Sequence, residues 1–329
     1  MGILEKLAAS SLALGLMATG AMAAELKLAD FQPPTHFIVD TTYTPFAKAI
    51  SDATGGDTTV KVFMGGELGA GPAEQYNRVV DGVADIAFGL PGYTASNFPL
   101  TLLNELPGVI TVETGTQAMM DHVDMLADEY KRVQLVGLWN NAPNLILTGE
   151  KPIRSMADLA GLNIRVPSRN AGVIVQAWGA NPVSMPAPEI YNAMQTGVID
   201  GAMIDPTTLK SFKLAEVTKF VTQGMDTTIS EFFLIMNRDN FDALDETAQK
   251  AVLDAGREAA LTSAAAWLDV ADKAMADFAA AEGKEVITLS DEEAVKFNEA
   301  SAAAVEQIVN EADAAGLPAK AYIAALKGE

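Results

Sequence analysis

The sequence predicts an α/β protein with two lobes, in which helices connect mainly parallel strands. Short apolar runs with strand patterning alternate with helical segments along most of the chain, which is the order of βαβ units. Residues 79–87 resemble residues 194–202, which lie 115 positions later in the chain. This internal similarity suggests that one such unit occurs twice. Shared local preferences could also produce so short a match, but two similar units suit two lobes around a cleft. From Asp245 the chain is rich in alanine, which favours long helices.

The periodicity of apolar residues predicts the individual elements in order. Strands are expected at 26–31, 58–63, 85–89, 133–139 and 162–165. Helices are expected at 42–53, 72–80, 116–131, 245–281 and 291–314.

The N-terminus has the organisation of a signal peptide, which we expect to cover residues 1–23. Lys6 precedes an apolar run, and Ala21-Met22-Ala23 forms an A-x-A cleavage site. A buried N-terminal helix is the alternative. No later segment has 18 uninterrupted apolar residues, and no cysteine is available for a lipid anchor. We therefore expect a soluble periplasmic protein without membrane insertion.

Charge and motif content exclude several classes of function. The net charge of −21 disfavours binding to nucleic acid and to anionic membranes. The absence of cysteine excludes thiolate metal sites, and no H-E-x-x-H, Walker or G-x-S-x-G motif occurs. The glycine-rich stretch 65–71 lacks the lysine of a phosphate-binding loop and indicates a tight turn. We expect no enzyme activity, no cofactor and no metal site.

One arginine stands out as a candidate for ligand binding. Leu162, Ile164 and Val166 alternate with polar residues, and Pro167 ends the strand, which places Arg165 near its carboxyl end. Ligands of open α/β sheets bind beyond that end of the strands, and a guanidinium is a planar fork suited to a carboxylate. A structural role, with Arg165 reaching solvent or pairing with an acid, is the alternative.

Further candidates follow other predicted strands or carry aromatic rings. They combine aromatic walls with a few orienting polar groups, as small-ligand sites do. In addition to Arg165, the ligand-binding candidates are His36, Tyr93, Trp139, Asn140, Asn141 and Phe232. Ordinary loop or core roles are open for each of them.

Several segments in order resemble the solute-binding proteins of tripartite ATP-independent periplasmic (TRAP) transporters, often called C4-dicarboxylate-binding proteins. The resemblance covers nearly the whole chain beyond residue 23. The matching segments are Gly66-Glu67-Leu68-Gly69, Gly82-Val83-Ala84-Asp85-Ile86, Lys151-Pro152-Ile153, the run 158–167, the run 178–183, Met185-Pro186 and the run 189–201.

The resemblance implies a two-lobed fold like that of periplasmic binding proteins, with a long C-terminal helix connecting the lobes. It implies a first lobe of 24–147 plus about 236–275, and a second lobe of 148–235 plus about 276–329. It also implies capture of a small organic acid for the membrane permease subunits of a TRAP transporter. The arginine that matches Arg165 forms a salt bridge with the ligand in that family, and Met185 joins the candidates from a matching segment.

Two departures from the family pattern narrow the expected ligand. Leu145 stands where some members carry a second arginine, and Asp200-Gly201 leads into Ala202-Met203-Ile204-Asp205 instead of a polar pair. The site then offers one strong cation and an acid at Asp205. We therefore favour a monocarboxylate with a hydroxyl, aromatic or cationic portion. The alternatives are a receptor that feeds a sensor or an ABC-type importer, and an enzyme on the same scaffold.

Overall fold

The computed structural model of the protein describes residues 24–329, so the expected signal peptide lies outside the described residues. The strands of this part are β1 Ala24–Ala29, β2 Thr58–Phe63, β3 Ile86–Gly89, β4 Val133–Asn140, β5 Leu145–Thr148, β6 Asn163–Val166, β7 Asn181–Ser184, β8 Gly201–Ile204, β9 Phe220–Gln223, β10 Glu231–Asn237 and β11 Glu285–Thr288. Its α-helices are α1 Thr44–Ala53, α2 Gln75–Val80, α3 Gly115–Asp121, α4 Met156–Leu159, α5 Arg169–Ala177, α6 Ile190–Gln195, α7 Thr208–Ser211, α8 Arg238–Asp242, α9 Glu246–Ala280, α10 Asp291–Ala314 and α11 Ala319–Lys327.

The strands form two separate sheets, which define the first and the second lobe. The first sheet has the order β2-β1-β3-β10-β4, and the second has the order β11-β9-β5-β8-β6-β7. In the first sheet only β10 runs against its neighbours, and in the second only β5 does. The predicted two-lobed α/β fold with mainly parallel strands is therefore confirmed.

The two antiparallel strands mark the places where the chain crosses between the lobes. Residues 141–144 lead from β4 into β5, and residues 224–230 lead from β9 into β10. Hydrogen bonds join the two crossings: the backbone N–H of Asn141 donates to the carbonyl of Ser230 (2.9 Å), and that of Asn144 donates to the carbonyl of Thr228 (3.0 Å). The crossings thus form a paired hinge between the sheets.

Helix α9 links the lobes over its whole length. Its 35 residues span about 52 Å at 1.5 Å per residue. Val252, Ala260 and Trp267 pack with apolar residues of the first sheet. Ala274 and Phe278, further along the helix, pack with residues of β8 and β9. The helix begins cleanly because Asp245 accepts a hydrogen bond from the backbone N–H of Ala248 (2.8 Å).

The course of the chain differs from the expected division into lobes at three points. β5 pairs with β8 and β9, so the first crossing precedes residue 145 instead of following 147. β10 pairs with β3 and β4, so the second crossing ends before residue 231. Helix α11 packs in the first lobe, where Tyr322 and Leu326 fill a cluster with Phe98. Apolar burial brings the C-terminus back to the first lobe, which sequence periodicity does not reveal.

One predicted helix is shorter than expected. The helix predicted at 116–131 ends at Asp121, and a 3₁₀ turn at Val123–Leu126 follows it. The carboxylate of Glu129 accepts hydrogen bonds from the backbone N–H (2.9 Å) and the hydroxyl (2.6 Å) of Thr101. These tertiary bonds hold the end of the segment in a non-helical course.

Close packing of α9 on β4 requires a glycine, which gives a testable prediction for stability. A Cβ at Gly256 would lie 2.1 Å from the carbonyl oxygen of Val136. We expect Gly256→Ala to lower the free energy of unfolding by about 1–3 kcal/mol, because the helix must move off the strand. Urea unfolding measures this loss.

Gly172 in α5 provides the matched control. A Cβ there would meet its nearest atom, in Pro182, at 3.5 Å, which is an ordinary contact. Gly172→Ala should therefore leave stability unchanged or raise it by up to about 1 kcal/mol. Equal losses in the two variants would contradict the close approach at Gly256.

Candidate functional site

A cavity with an empty volume of about 430 Å³ lies between the lobes, beside the paired hinge. Its aromatic walls come from both lobes and from α9, and consist of Phe31, Phe88, Phe212, Phe232 and Trp267. Its polar lining consists of Gln32, His36, Tyr93, Asn141, Asn144, Arg165, Asp205, Thr207, Thr208 and Ser230.

Strand β6 places Arg165 in this cavity. Ile164 and Val166 pack beneath α5 and α10, so the alternation of the strand directs Arg165 to the opposite face. Pro167 follows the strand and also lines the cavity. The carboxyl end of β6 therefore presents a guanidinium to the space between the lobes, as the sequence predicts.

The protein itself holds the guanidinium of Arg165 at three points. Nε donates to the carbonyl of Met185 (2.9 Å), Nη1 to the carbonyl of Met203 (3.2 Å) and Nη2 to the hydroxyl of Tyr93 (3.3 Å). A guanidinium carries five N–H groups, so one hydrogen on each Nη has no acceptor within residues 24–329. The side chain is fixed in place, with two N–H groups left to bind a ligand.

The charge of Arg165 is buried and forms no direct ion pair with a carboxylate of the described chain. The residue is 1% exposed, and no carboxylate of residues 24–329 lies within 4.0 Å of it. Burial lowers the pKa of Arg165, while Tyr93 and Asp205 act in the opposite direction. An arginine stays protonated in proteins, so the cavity contains a fixed positive charge that an anion can neutralise.

Tyr93 connects the two lobes at this point. It lies in the 3₁₀ segment Pro91–Asn97 of the first lobe. Its hydroxyl accepts hydrogen bonds from Arg165 and from the backbone N–H of Ala187 (2.9 Å), both in the second lobe. Burial raises the pKa of Tyr93, so the phenol keeps its proton and can donate it to a ligand. Gly92 permits the approach, since a Cβ there would lie 2.9 Å from the carbonyl oxygen of Pro167.

Asn141 and Asp205 connect the hinge to the cavity. Nδ2 of Asn141 donates to Oδ2 of Asp205 (3.2 Å), and Oδ1 of Asn141 accepts the backbone N–H of Ser230 (2.8 Å). Oδ1 of Asp205 accepts the backbone N–H (3.0 Å) and the hydroxyl (2.5 Å) of Thr207. Burial raises the pKa of Asp205. Both carboxylate oxygens are therefore engaged within the protein.

His36 lies at the Trp267 side of the cavity, in the loop that follows β1. Its Nδ1 accepts the backbone N–H of Ile38 (3.2 Å), and its ring stacks on that of Phe37 with centroids 4.4 Å apart. Burial lowers the pKa of His36 to about 3. The imidazole is therefore neutral at physiological pH.

Three sequence candidates lie outside the cavity lining, whereas Arg165, His36, Tyr93, Asn141, Asp205 and Phe232 are in it. Asn140 turns away because its Oδ1 accepts the hydroxyl of Thr116 (2.7 Å). Trp139 packs behind the aromatic wall, 5.8 Å from Phe88 between ring centroids. Met185 contributes its backbone carbonyl to Arg165, while its side chain packs among apolar residues of the second lobe.

Comparison with known proteins identifies the family to which the chain belongs. The family profile described as bacterial extracellular solute-binding protein, family 7 (DctP) matches residues 28–312. The chain belongs to this family.

Three solved structures of TRAP solute-binding proteins share the fold of this family 7 protein. A marine metagenome protein specific for aromatic acid ligands, in complex with 3-hydroxybenzoate, is 27% identical with a TM-score of 0.87, covering 93% of this chain and 98% of that one. A Bordetella bronchiseptica protein with bound (R)- and (S)-mandelate is 28% identical with a TM-score of 0.84, covering 93% and 98%. A Rhodoferax ferrireducens protein with copurified benzoate is 26% identical with a TM-score of 0.84, covering 93% and 97%.

Membership in family 7 confirms the predicted recognition and the general role. The protein is a solute-binding receptor of the TRAP type, and its family is extracellular. Within residues 24–329, no helix combines the length and the apolar character needed to cross a membrane. In the same residues, no three His, Asp or Glu side chains group together as a metal site would require.

Several residues that line the cavity of this family 7 protein escaped the sequence analysis. They are Phe31, Phe88, Asn144, Phe212, Ser230 and Trp267. Phe31 and Phe88 lie at or just beyond the carboxyl ends of β1 and β3. Arg165 was predicted from the same position at the end of a strand, so both phenylalanines could have been predicted in the same way. Phe212 and Trp267 reach the cavity only through the packing of α7 and α9, which no local pattern indicates.

Proposed function

We propose that this TRAP solute-binding protein captures a ring-bearing monocarboxylate in the periplasm, holds its carboxylate on Arg165 and delivers it to the membrane permease subunits. The observation that carries the proposal is the buried guanidinium of Arg165, which forms no direct ion pair with a described residue and faces a cavity walled by aromatic rings. A ligand carboxylate would supply the missing charge and accept the two remaining N–H groups.

The charges of the cavity favour one carboxylate over two. Arg165 is the cation among the residues that line it, and Asp205 is the acid. A second ligand carboxylate would be desolvated without a cationic partner, which is costly. The net charge of −21 repels anions at long range, so attraction depends on this local site.

The walls of the cavity favour a flat apolar body. The rings of Phe31 and Phe88 lie 5.6 Å apart between centroids, and those of Phe88 and Phe232 lie 5.2 Å apart. These spacings are typical of aromatic clusters that can accept a further ring. The aromatic acids bound by the three similar structures support the same ligand class.

Ligand capture would work by closing the lobes. Arg165 belongs to the second lobe, while Tyr93 and the wall residues Phe31 and Phe88 belong to the first. A ligand that contacts both sets shifts the population toward the closed form. Closure excludes water and strengthens the bonds to the carboxylate. The carboxylate of Asp205 is hydrogen-bonded within the protein, and the imidazole of His36 is neutral. Both properties are compatible with ligand binding, and we propose no reaction in the cavity.

A titration of the purified protein with matched acids tests the proposal. We expect benzoate, phenylacetate and mandelate to raise the melting temperature, whereas succinate, phthalate and benzyl alcohol should not. A ligand at a hundredfold excess over Kd adds about 2.7 kcal/mol to the free energy of unfolding. Stabilisation by dicarboxylates or by uncharged compounds, and by none of the monocarboxylates, would contradict the proposed ligand class.

Asp205 provides a prediction that separates a structural role from a direct contact with a cationic ligand portion. Asp205→Asn sets an amide N–H against the donor groups of Asn141 or Thr207. We expect the free energy of unfolding without ligand to fall by about 1–3 kcal/mol. The exposed Asp272→Asn in α9 is the control and should leave it unchanged. Unchanged stability combined with lost binding would instead place Asp205 in contact with the ligand.

A further inference from the structure

We infer that His36 is a neutral hydrogen-bond donor that selects ring acids carrying an uncharged oxygen on the side opposite the carboxylate. Hydroxyl, ether and carbonyl oxygens belong to this class of substituent. The inference rests on the proposed function and deepens it, because it concerns the other end of the same cavity.

Hydrogen bonding within the protein determines which nitrogen of His36 carries the proton. Nδ1 accepts the backbone N–H of Ile38 (3.2 Å), so the neutral imidazole has its hydrogen on Nε2. In residues 24–329 no acceptor lies within hydrogen-bond distance of Nε2, although His36 is 3% exposed and lines the cavity. The Nε2–H group therefore faces the cavity without a partner in the described chain, and a ligand oxygen there would accept its hydrogen bond.

The ring of His36 is held in a defined orientation. It stacks on Phe37 at 4.4 Å and lies 5.7 Å from Trp267 and 6.3 Å from Phe212 between centroids. These contacts come from its own loop, from α9 and from the end of α7. A donor fixed by three elements of structure can discriminate between ligands, because it cannot turn away from a substituent that does not fit.

A continuous row of aromatic rings separates this donor from the cation. The row leads from Tyr93, which contacts Arg165, to Trp267, which contacts His36. Successive centroids in it lie 6.1, 5.6, 5.2 and 4.9 Å apart, from Tyr93 through Phe31, Phe88 and Phe232 to Trp267. Arg165 and His36 line the same cavity, so a ligand whose carboxylate lies at Arg165 and whose apolar body packs along this wall directs its far substituent toward His36.

The charge state of His36 determines which kind of ligand oxygen can accept its hydrogen bond. Burial lowers its pKa to about 3, so the ring is uncharged at pH 7. A neutral donor in an apolar setting pairs well with a neutral acceptor but does not compensate a second carboxylate. The site should therefore prefer hydroxylated monocarboxylates to both plain monocarboxylates and dicarboxylates.

Calorimetric titration with pairs of acids tests the inference. The probes are benzoate, phenylacetate and 3-phenylpropionate, each compared with its 3-hydroxy and 4-hydroxy ring derivatives. One added hydrogen bond is expected to tighten binding of at least one hydroxylated acid by about 2- to 10-fold over its parent. Terephthalate and isophthalate should bind more weakly than benzoate.

Two variants with opposite properties assign the effect to Nε2. The amide of glutamine reaches about as far as Nε2 and can donate there, whereas asparagine ends near Nδ1 and can still accept the N–H of Ile38. We expect His36→Asn to abolish the preference for the hydroxylated acid and His36→Gln to keep part of it. Both should bind the parent acid through Arg165, and urea unfolding without ligand shows whether each variant is folded.

The results distinguish failure of the inference from failure of the proposed function. One outcome is that the parent acids bind in a manner that depends on Arg165, but hydroxylation does not change their affinity. Another is that both His36 variants change the affinity for the parent acid and for the hydroxylated acid equally. In either case His36 does not recognise the substituent. If no ring monocarboxylate binds, the proposed function and the inference that rests on it are both wrong. A hydroxyl preference that survives His36→Asn would assign the donor to another residue.

Discussion

Arg165→Ala is expected to weaken binding of a carboxylate ligand by about 2–5 kcal/mol, or roughly 30- to 4,000-fold in Kd. The ligand carboxylate would remain buried among aromatic rings without its cation, and desolvation of that unpaired charge accounts for most of the loss. The bond from Arg165 to Tyr93 would also be lost, and with it one contact between the lobes.

Arg165→Lys separates charge from shape. Lysine keeps the positive charge but replaces the planar fork by a single ammonium group. The carbonyls of Met185 and Met203 would compete with the ligand for its three N–H groups, whereas Arg165 serves both and retains two N–H groups. We therefore expect an affinity between those of the wild type and Arg165→Ala. Full affinity in the lysine variant would exclude a two-pronged contact.

Isothermal titration with the acid that binds the wild type most tightly measures both effects. Arg169→Ala is the matched control, since this arginine is exposed and pairs with Glu311 (2.9 Å) on α10. The control should bind as the wild type does. Because Arg165 also supports two backbone carbonyls, urea unfolding without ligand establishes that each variant is folded. A folded Arg165→Ala protein with wild-type affinity would make Arg165 a structural residue.

Local patterning predicts much of the fold because it reports burial along each element. The strand at Thr58–Phe63 and the helix at Asp291–Ala314 have the predicted bounds. The helix begins where Ser290 caps it and three acidic residues occupy its first turn, both of which are visible in the sequence. The strand that carries Arg165 was recognisable because alternation and Pro167 act over a few residues.

The parts of the fold and of the candidate site that local patterning does not predict depend on contacts between residues that are distant in sequence. Helix α11 packs in the first lobe because the hydroxyl of Tyr322 donates to Asn104 (3.0 Å) and its ring fills a gap there. The aromatic wall brings Trp267 to within 4.9 Å of Phe232, although they belong to a helix and a strand of different periodicity. Asn140 and Asn141 are neighbours in sequence, yet only Asn141 lines the cavity, because the end of β4 turns successive side chains to opposite faces.

The stability of the protein should decrease as the pH rises from about 4.5 toward 8, because two carboxyl groups are buried together beside the hinge. Oε1 of Glu105, in the first lobe, accepts the hydroxyl of Ser168 (2.7 Å), which caps α5 in the second lobe. Both oxygens of Glu231, the first residue of β10, are buried without a partner among the described residues. Glu129 adds a further negative charge nearby.

Burial raises the pKa of Glu105 from its ordinary 4.5 to about 8. Burial, together with the charge of Glu105, raises the pKa of Glu231 well above its ordinary value. Glu105 therefore stays largely protonated in the folded protein at pH 7, and Glu231 keeps its proton to a higher pH than in the unfolded chain, which loses both protons near pH 4.5. The folded state binds more protons in this interval, so the contribution to stability is complete below pH 4.5 and is lost as the pH rises toward 8.

Glu231→Gln should remove much of this pH dependence. The variant lacks one titrating group and relieves Glu105 of a neighbouring charge. A proton held only by the folded state changes stability by at most about 1.36 kcal/mol per pH unit, so the wild type should lose stability relative to the variant by up to about that amount per unit between pH 6 and pH 8. Glu306→Gln, on the exposed face of α10, is the control and should follow the wild type. Urea unfolding at pH 6, 7, 8 and 9 measures the difference, in which titrations common to all three proteins cancel. Parallel curves for the wild type and Glu231→Gln would mean that Glu231 is already ionised in the folded protein at neutral pH.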